Sequence, residues 1–588
     1  KVVLLSATPM KNLADDIIEL LNFIRPPDDP IIRDRIFSSH KNHEMELKEG
    51  GLEYFKKMAT GYISHLRGAD PLTFAKRIDK GEIPPGLLFT RVTRCLMLPF
   101  QRKSYDDTVA IADDTLDRRS EAVANFAFPG LDDNKNLIGY YGNEGIDIVK
   151  NQVKTNLEMI NKKIALEIFK NKNLETNTDL LYVSDAKGVL TGKIFQFENL
   201  KYFSIKFYKT LKKLNRLIWS KKGAKTAFVY SNLVRAGIEI FQEILLVNGY
   251  LEYDENPRNY KITPDTRCYF CGYSFSNHKS GNVIGKLEKN KNISESSTEY
   301  KEKKEQIPKH EFYPATFVVV TGKSSEESGE VIPEEKQYIL RNVFSNLDNI
   351  NGKNIKFVLG SKVMNEGISL KFVSEVHILD VYFNLGKIDQ VIGRAIRHCS
   401  HFALMNEKNP FPQVNVYKYA VKLGDKEGNL STEEDLYKKG ELKYLLIKKV
   451  ERAMKEVAVD CPLNRDGNMF LEEIKTFDKC IEPTNKGKND KQIACPAICD
   501  FTTCHYKCDS KSLNDKYFED KFKGYRSLQK NELDYSTFTK SLARNEINNV
   551  KDKIKEMYKI KYLYKLKDIV NYVKDSYDGE KKELFDNF

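Results

Sequence analysis

The spacing of apolar residues predicts short strands and helices along most of the chain. Short apolar runs bounded by turn-forming residues predict strands at Val2–Leu5, Thr226–Tyr230, Phe317–Val320, Ile355–Leu359, Val376–Leu379 and Val414–Ala420. Apolar residues three and four positions apart predict helices at Asp15–Ile24, Ala236–Val247, Glu334–Phe344 and Lys387–Arg397, and a mostly helical segment over residues 150–220. From Lys225 onward strands alternate with helices, which predicts a parallel sheet in an α/β lobe.

One stretch interrupts this lobe. Residues 286–309 are rich in Lys, Glu, Ser and Asn and nearly devoid of large apolar side chains, so they are predicted to form a disordered insertion. After residue 430 the pattern becomes helical, then rich in cysteine, then helical and basic.

The composition is that of a folded protein with excess positive charge. Hydrophobic residues make up 41% and charged residues 30% of 588 residues, too many for one hydrophobic core, so several domains are expected. No apolar run approaches the ~20 residues of a membrane span, so no membrane partner is expected. A net charge of +12 favours a polyanionic partner. Because the chain starts at Lys1, already within a predicted strand, we expect it to be part of a longer protein.

The most informative motif is Gln390-Val-Ile-Gly393-Arg394-Ala-Ile-Arg397. Arg394 and Arg397 are three positions apart, so on a helix they would share one face, and Gly393 would let backbone approach closely. Two guanidinium groups facing a cleft suit the charge that develops on a γ-phosphate during phosphoryl transfer. The alternative is a surface helix that carries two arginines.

This motif resembles motif VI, QxxGRxxR, of superfamily 2 helicases and translocases, and other segments resemble further motifs in the right order. The resemblance implies catalytic roles for Arg394, Arg397 and Gln390. Residues 358–370 resemble motif V, and the two motifs together imply nucleotide contacts at Gly393, Glu366 and Gly367. Contacts to nucleic acid are implied at Ser369, at Ser231 in a motif IV-like strand end, at Ser6 and Thr8 in a motif III-like turn, and at Thr321, Gly322 and Lys323 in a Thr-Gly turn.

The Gly322-Lys323-Ser324 sequence is not a phosphate-binding P-loop. Phe317 stands where the first glycine of that motif is required. Neither a Walker A loop nor a Walker B carboxylate occurs in the chain, and both would precede motif III. The cofactors ATP and Mg²⁺ are therefore expected to bind only together with a further lobe 1 segment, and the isolated chain is not expected to hydrolyse ATP.

Longer stretches resemble one viral group. These are residues 62–71, 94–105, 390–401 and 458–464. They are similar to helicase-like ATPases of large nucleocytoplasmic DNA viruses, in particular the small subunit of the poxvirus early transcription factor and poxvirus nucleoside triphosphate phosphohydrolase I. The resemblance implies a role in viral transcription, DNA as a partner with RNA not excluded, a viral RNA polymerase or transcription-factor subunit as a second partner, and a place in the virion and host cytoplasm.

Two cysteine clusters are candidate zinc sites that the general superfamily pattern lacks. The first is Cys268-x2-Cys271 followed by His278 and His310, a donor set suited to tetrahedral zinc. The alternative is two buried thiols and two surface imidazoles. The second cluster has unusual spacing, and its alternative is a compact helical hairpin with reduced cysteines. Its candidate ligands are Cys495, Cys499, Cys504 and Cys508.

Together these features predict an α/β fold built around a RecA-like helicase C-terminal lobe. The predicted regions are residues 1–110 as the end of lobe 1, 111–220 as a helical connector, 221–430 as the C-terminal lobe with an insertion at 265–312, and 431–588 as a helical, Cys-rich region. The function expected is the C-terminal part of an ATP-dependent DNA translocase. Two alternatives remain open: a non-catalytic transcription-factor subunit or zinc-dependent interaction module built on a helicase lobe, and a split gene whose partner chain supplies lobe 1.

Overall fold

A computed structural model describes most of the chain in two compact units, Lys1–Ser512 and Leu513–Phe588. It does not describe residues 1, 7, 11, 40–44, 67–73, 112–117, 219–224, 280–309, 323–331, 366, 382–383, 408, 410–411, 425–428, 470–476, 478, 489–492, 509–517, 520–523, 526–543 and 576–588. The predicted disordered insertion at 286–309 lies outside the described residues.

The first unit contains strands β1 to β14 and helices α1 to α14. The strands are Phe37–Ser39, Met45–Leu47, Lys76–Lys80, Thr93–Leu96, Phe128–Leu131, Leu137–Tyr140, Tyr182–Val183, Leu190–Thr191, Thr226–Tyr230, Leu251–Glu252, Thr316–Val320, Phe357–Gly360, Val373–Ile378 and Gln413–Lys422. The helices are Asp16–Ile24, Arg33–Ile36, Gly51–Ala59, Pro99–Ile111, Arg118–Asn125, Gly142–Lys163, Phe197–Leu200, Ile205–Ile218, Ile240–Val247, Phe275–Lys279, Glu334–Tyr338, Leu385–Ala395, Thr432–Val457 and Cys461–Met469. Wider π-helical turns extend α6 and α11 at their ends and precede α9.

The centre of the first unit is an eight-stranded sheet in the order β10-β11-β12-β9-β13-β14-β3, with β4 also paired to β14. Every pairing in it is parallel. The predicted parallel sheet of an α/β lobe is therefore confirmed, and β9 coincides with the predicted strand.

Alternate residues of the central strands supply two separate hydrophobic cores. Along β9, Ala227 and Val229 pack into one core, whereas Phe228 and Tyr230 pack into the other. Successive side chains of a strand point to opposite faces, and a sheet covered on both faces therefore needs apolar residues at every position. The first core contains residues of α5, α6, α8 and α9, and the second contains residues of α12 and α13.

The sheet draws strands from both sides of the predicted boundary at residue 110. The long strand β14 pairs through Gln413–Tyr417 with β3 and through Tyr419–Lys422 with β4. Pairing with β3 and β4 supplies hydrogen-bond partners for the backbone N–H and C=O groups on that side of β14. The segment before residue 110 thus contributes structurally to the same lobe as the motif VI helix.

The strand predicted at Val2–Leu5 does not form. These residues adopt no regular structure, and the side chains of Val3 and Leu5 are 79% and 93% exposed. A short apolar segment becomes a buried parallel strand only where neighbouring strands flank it, and none of the described strands pairs with this one.

A third core joins the two ends of the first unit. Residues of α1 and α3 pack against the second half of α13 and against the cysteine-rich loops near Cys499 and Cys504. Helix α13 begins at a capping box in which Ser431 and Glu434 satisfy each other's backbone N–H groups. No described helix is long and apolar enough to cross a membrane.

The second unit is small. Its described residues form an antiparallel pair, β15 (Phe518–Glu519) with β16 (Gly524–Tyr525), and two helices, α15 (Arg544–Ile560) and α16 (Leu566–Asp575). The predicted C-terminal region 431–588 is thus divided, because its first part packs within the first unit.

Candidate nucleotide and nucleic-acid site

The carboxyl ends of four neighbouring strands meet at one edge of the sheet. Ser231 follows β9, Thr321 follows β11, Ser361 follows β12, and Asp380 stands two residues after the end of β13. Ligands of open parallel sheets bind beyond this edge. The sequence-predicted motifs IV, V and VI and the Thr-Gly turn all lie in the loops and helix that follow these strands.

Asp380 organises the backbone at this edge. Its carboxylate accepts hydrogen bonds from the Ser231 hydroxyl at 2.6 Å, from the backbone N–H groups of Asn232 and Leu233, and from the Asn125 amide at 2.6 Å. Asp380 is only 4% exposed, so these donors replace the water that a buried carboxylate would otherwise lack.

The expected nucleic-acid contact at Ser231 is not supported. Its side chain is fully buried, and its hydroxyl is committed to Asp380. A side chain enclosed in this way cannot reach a nucleic-acid backbone, so Ser231 has a structural role in shaping the turn after β9.

The motif V loop and the motif VI arginines contact each other directly. The backbone N–H of Leu370 donates to the carbonyl of Arg394 at 2.8 Å, and Arg397 Nη1 donates to Ser369 Oγ at 2.6 Å. Gly367, with φ of 82°, lies in the left-handed region that a residue with a Cβ adopts at a cost, and this conformation turns the loop toward the arginines. Glu366 lies outside the described residues.

The arginines do not share one helical face as predicted. Helix α12 ends at Ala395, and Ile396 has extended backbone angles (φ −110°, ψ 89°), so Arg397 follows the helix rather than continuing it. Arg394 is half-buried on the helix, whereas Arg397 is exposed and held by Ser369. Tertiary hydrogen bonds from the motif V loop, not helical spacing, therefore bring the two groups to the same edge.

Two other motif VI residues lie on α12. Gln390 is half-buried. A Cβ added at Gly393 would meet no described atom of this chain within 4 Å, so no other segment of the described chain approaches the backbone there. The helix starts at Asn384, whose side chain accepts a hydrogen bond from the Lys387 N–H and so caps its first turn.

A charged network connects α12 to neighbouring elements. Asp389 accepts from Arg77 Nη1 at 2.7 Å and from the Tyr444 hydroxyl at 2.5 Å, and Asp79 bridges Arg77 and Lys418. Burial opposes ionisation of Asp79, but the charges of Lys418 and Arg77 outweigh it and lower the pKa of Asp79 to about 2. The network ties the arginine helix to β3 and β14.

The remaining candidate nucleic-acid residues lie near the same edge or at the chain start. Thr321 and Gly322 are half-buried directly after β11, and Lys323 lies outside the described residues. Ser6 and Thr8 are exposed, and the Ser6 hydroxyl accepts from the Thr8 N–H at 3.1 Å.

Of the two predicted metal sites, the structure brings together the ligands of the first. The side chains of Cys268, Cys271, His278 and His310 converge between β10 and β11, at the opposite end of β11 from Thr321. A hydrogen bond from the Cys271 thiol and further ones from backbone N–H groups outweigh burial and lower the pKa of Cys268 below its ordinary value.

The metal site predicted at Cys495, Cys499, Cys504 and Cys508 is wrong, because these cysteines are paired as disulfides. The bridges are Cys461–Cys508, Cys480–Cys495 and Cys499–Cys504, with Cα atoms 5.8, 4.9 and 4.6 Å apart. Only a thiolate is a good metal ligand, so oxidised pairs cannot serve.

Sequence reasoning missed the polar residues that hold the edge together. Asp380 directly follows the predicted strand Val376–Leu379, a position where parallel sheets place functional groups, so this one could have been found. The partners of Asp389, namely Arg77 and Tyr444, come from distant parts of the chain and carry no common local pattern.

Several known proteins are similar to this chain. Residues 329–399, which include the whole motif V loop and all of α12, match the model of the helicase conserved C-terminal domain. The chain is 52% identical over 591 residues to the "Putative ATP-dependent RNA helicase L377" of Acanthamoeba polyphaga mimivirus, covering all of this chain and 49% of that protein.

Two more distant relatives match most of the chain. It is 22% identical over 475 residues to the "Early transcription factor large subunit homolog" of African swine fever virus (isolate Pig/Kenya/KEN-50/1950), covering 78% of this chain and 37% of that protein. It is 24% identical over 481 residues to the "Putative ATP-dependent RNA helicase R563" of the same mimivirus, covering 80% and 62%. The chain thus spans roughly a third to two thirds of the length of these relatives.

Proposed function

Since the chain belongs to the superfamily 2 helicase-like proteins of large DNA viruses, we propose that it is the arginine-bearing part of an ATP-driven nucleic-acid translocase that acts in viral transcription. In this proposal DNA is the track, and the chain works together with a viral RNA polymerase or transcription-factor subunit. The name of the African swine fever virus relative supports the transcriptional role.

The observation that carries the proposal is the junction of the motif V loop with the end of α12. The exposed Arg397 donates a hydrogen bond of 2.6 Å to the Ser369 hydroxyl. In the same loop, the backbone N–H of Leu370 donates to the carbonyl of Arg394. A guanidinium that is positioned before the substrate arrives stabilises developing charge without having to reorganise. An unsupported arginine on a surface helix would lack this contact.

The donor groups at this edge fit one side of a nucleoside triphosphate. Arg394 and Arg397 would contact the γ-phosphate, Gln390 and Glu366 would sense the nucleotide, and Gly367 would let the loop turn toward it. Bound ATP supplies the phosphoryl group that is transferred to water. The chain's contribution is to bind the phosphate oxygens and neutralise their charge.

The same edge does not fit Mg²⁺ at Asp380. That carboxylate already accepts four hydrogen bonds, from Asn125, Ser231, Asn232 and Leu233, so a hard cation would have to displace them. The Mg²⁺ ligands and the phosphate-binding loop are assigned to lobe 1 of the full-length protein.

The nucleic-acid side is assigned to the Thr321-Gly322-Lys323 turn and to the Ser6–Thr8 turn, whereas the Ser369 hydroxyl is engaged by Arg397. Thr321 and Gly322 offer backbone N–H groups beyond β11, and Lys323 offers a charge for a phosphate. Such contacts position a strand without reading its sequence, as a translocase requires.

The test is a pair of substitutions in the full-length protein. Arg397→Ala should reduce the saturated ATPase rate by ~10³-fold and leave DNA affinity nearly unchanged, since its role is at the γ-phosphate. Lys323→Ala should weaken DNA binding and lower its salt dependence by about one counterion. DNA affinity lost in Arg397→Ala, with its saturated rate near wild type, would overturn the assignment.

A further inference from the structure

Two thiols and two imidazoles converge in the segment between β10 and β11. Their four potential ligand atoms all lie within 4.8 Å of one another. Cys268 Sγ and His310 Nε2 are 3.4 Å apart, and His278 Nε2 and His310 Nε2 are 3.3 Å apart. Cys268, Cys271 and His278 lie close together in the sequence, and His310 joins them from 32 positions beyond His278.

The two separations of 3.4 Å and 3.3 Å match the edges of a zinc tetrahedron, and all four ligand atoms lie within 4.8 Å of one another. Zn–S distances of about 2.3 Å and Zn–N distances of about 2.0–2.1 Å place neighbouring ligand atoms roughly 3.3–3.8 Å apart. A simple hydrogen bond between one thiol and one imidazole would bring only two of these side chains together. Here the second imidazole and the second thiol converge on the same place as well.

The local backbone holds the ligands in place. The N–H of Gly272, a residue with φ of 72°, donates to the carbonyl of Cys268 at 3.0 Å, which forms the tight turn between the two cysteines. His278 lies on α10, and its N–H donates to Ser274 at 2.9 Å. Both cysteines are buried, at 0% and 2% exposure.

Aromatic rings close the site. The His310 ring lies 4.7 Å from Phe270 and the His278 ring 5.4 Å from Phe312, measured between ring centroids. We propose that Cys268, Cys271, His278 and His310 bind one zinc ion with a structural role. All four positions of the tetrahedron are filled by protein, which distinguishes such a site from a catalytic one with an open position.

The site adjoins the amino-terminal end of β11, next to the edge strand β10. Backbone pairing joins Cys268 to Pro314, and the Ala315 N–H donates to Arg267 at 2.7 Å immediately before β11. Ala315 in turn accepts from Leu251 at the start of β10. Zinc therefore fixes the entry of β11 and closes the chain between His278 and His310, whose closure cost grows only slowly with length.

This role is independent of the arginine edge. The cluster precedes β11 at its amino end, whereas Thr321 and the motif V–VI junction lie at the carboxyl ends of the strands. A failure of the zinc proposal would leave the proposed ATPase role untouched, and the reverse also holds.

Metal content of the purified 588-residue chain tests the proposal. Elemental analysis should find one zinc per chain, and Cys268→Ser should lower this at least tenfold. Two matched controls, Cys399→Ser at an exposed free thiol and Cys495→Ser at a disulfide, should keep the zinc. Retention of zinc by Cys268→Ser, or its loss from Cys495→Ser alone, would overturn the assignment, as would a zinc-free wild-type protein after purification in zinc-containing buffer.

A second measurement covers the case in which Cys268→Ser fails to fold. Cobalt exchanged into the wild-type protein should give the intense visible bands of tetrahedral coordination and a thiolate charge-transfer band. A weak spectrum typical of six oxygen ligands would contradict the proposal. A chelator should also lower the melting temperature of the wild-type protein by a few degrees.

Discussion

Ser369 Oγ accepts a hydrogen bond of 2.6 Å from the Nη1 atom of Arg397, although the two residues lie 28 positions apart in the chain. The contact joins the loop after β12 to the segment that follows the arginine helix. It fixes one end of a long, flexible side chain that would otherwise sample many rotamers. The position of the predicted arginine finger thus depends on a serine from a different motif.

Replacing this serine should therefore impair catalysis more than binding. In the full-length protein, Ser369→Ala should reduce the saturated ATPase rate about tenfold, because a hydrogen bond to a charged group contributes about 1.5 kcal/mol or more to positioning. Steady-state phosphate release with saturating DNA measures this effect.

The matched control is Ser345→Ala. Ser345 contacts the backbone of the same loop, at Ser369 and Lys371, but does not contact the arginine. Its rate should stay within about twofold of wild type, as expected for a weak neutral hydrogen bond. Equal losses in the two variants would mean that loop stability, not arginine positioning, is affected.

The sequence predicted the parallel sheet of the lobe because the signals for its strands are local. The strand at Thr226–Tyr230 is predicted to the residue, since five consecutive apolar or β-branched side chains are typical of a strand buried on both faces. The motifs also predicted Arg394, Arg397, Ser369 and Gly367 as candidate site residues, and the structure places them at one edge of the sheet.

What the sequence could not predict depends on long-range contacts. Helix α12 was predicted to extend through Arg397. It ends at Ala395 instead, and the backbone N–H of Leu370 donates to the carbonyl of Arg394. The pairing of β14 with β3 joins residues more than 300 positions apart. Cysteine spacing, likewise, does not reveal whether thiols bind metal or form disulfides.

The Asp380 carboxylate should be essential to the stability of the sheet edge. Asp380→Asn places an NH₂ group among donors and should lower the free energy of unfolding by about 3 kcal/mol, because buried donors lose a charged acceptor. Ser231→Ala removes one donor and should cost about 1 kcal/mol. Urea unfolding measures both.

Ser231→Ala also decides between the two roles considered for this residue. A structural role requires lower stability with unchanged DNA affinity. A variant with wild-type stability and weaker DNA binding would restore the direct nucleic-acid contact expected from the sequence.

The Asp79 carboxylate should make stability depend on pH under acidic conditions. Its pKa in the folded protein is about 2, below its ordinary value of 3.8. A carboxyl group with a lowered pKa stabilises the fold above pH 3.8, and this contribution is lost as the pH falls toward 2. The loss amounts to about 2 kcal/mol.

Unfolding midpoints measured between pH 5 and pH 2 on wild type and Asp79→Asn test this. The variant should show a smaller decline over that range. Asp106→Asn is the control, because Asp106 forms a half-exposed pair with Arg102 within one turn of α4, and such surface pairs contribute little. An identical decline in wild type and Asp79→Asn would exclude the proposed contribution of the Arg77–Asp79–Lys418 network.

The three disulfides should make the stability of the cysteine-rich segment depend on redox conditions. In the chain-entropy model, the bridge Cys461–Cys508, with a sequence separation of 47, should contribute about 4 kcal/mol, and Cys499–Cys504, with a separation of 5, about 2 kcal/mol. Cys461→Ser should therefore destabilise the oxidised protein more than Cys504→Ser. In a reducing buffer both variants should unfold close to the reduced wild type.

Urea unfolding with and without a reductant, together with peptide mapping under non-reducing conditions, gives the comparison. Alkylation of all six cysteines in the native, unreduced protein would contradict the pairing and reopen this cluster as a metal site, since free thiols near Cys499 and Cys504 could again act as ligands.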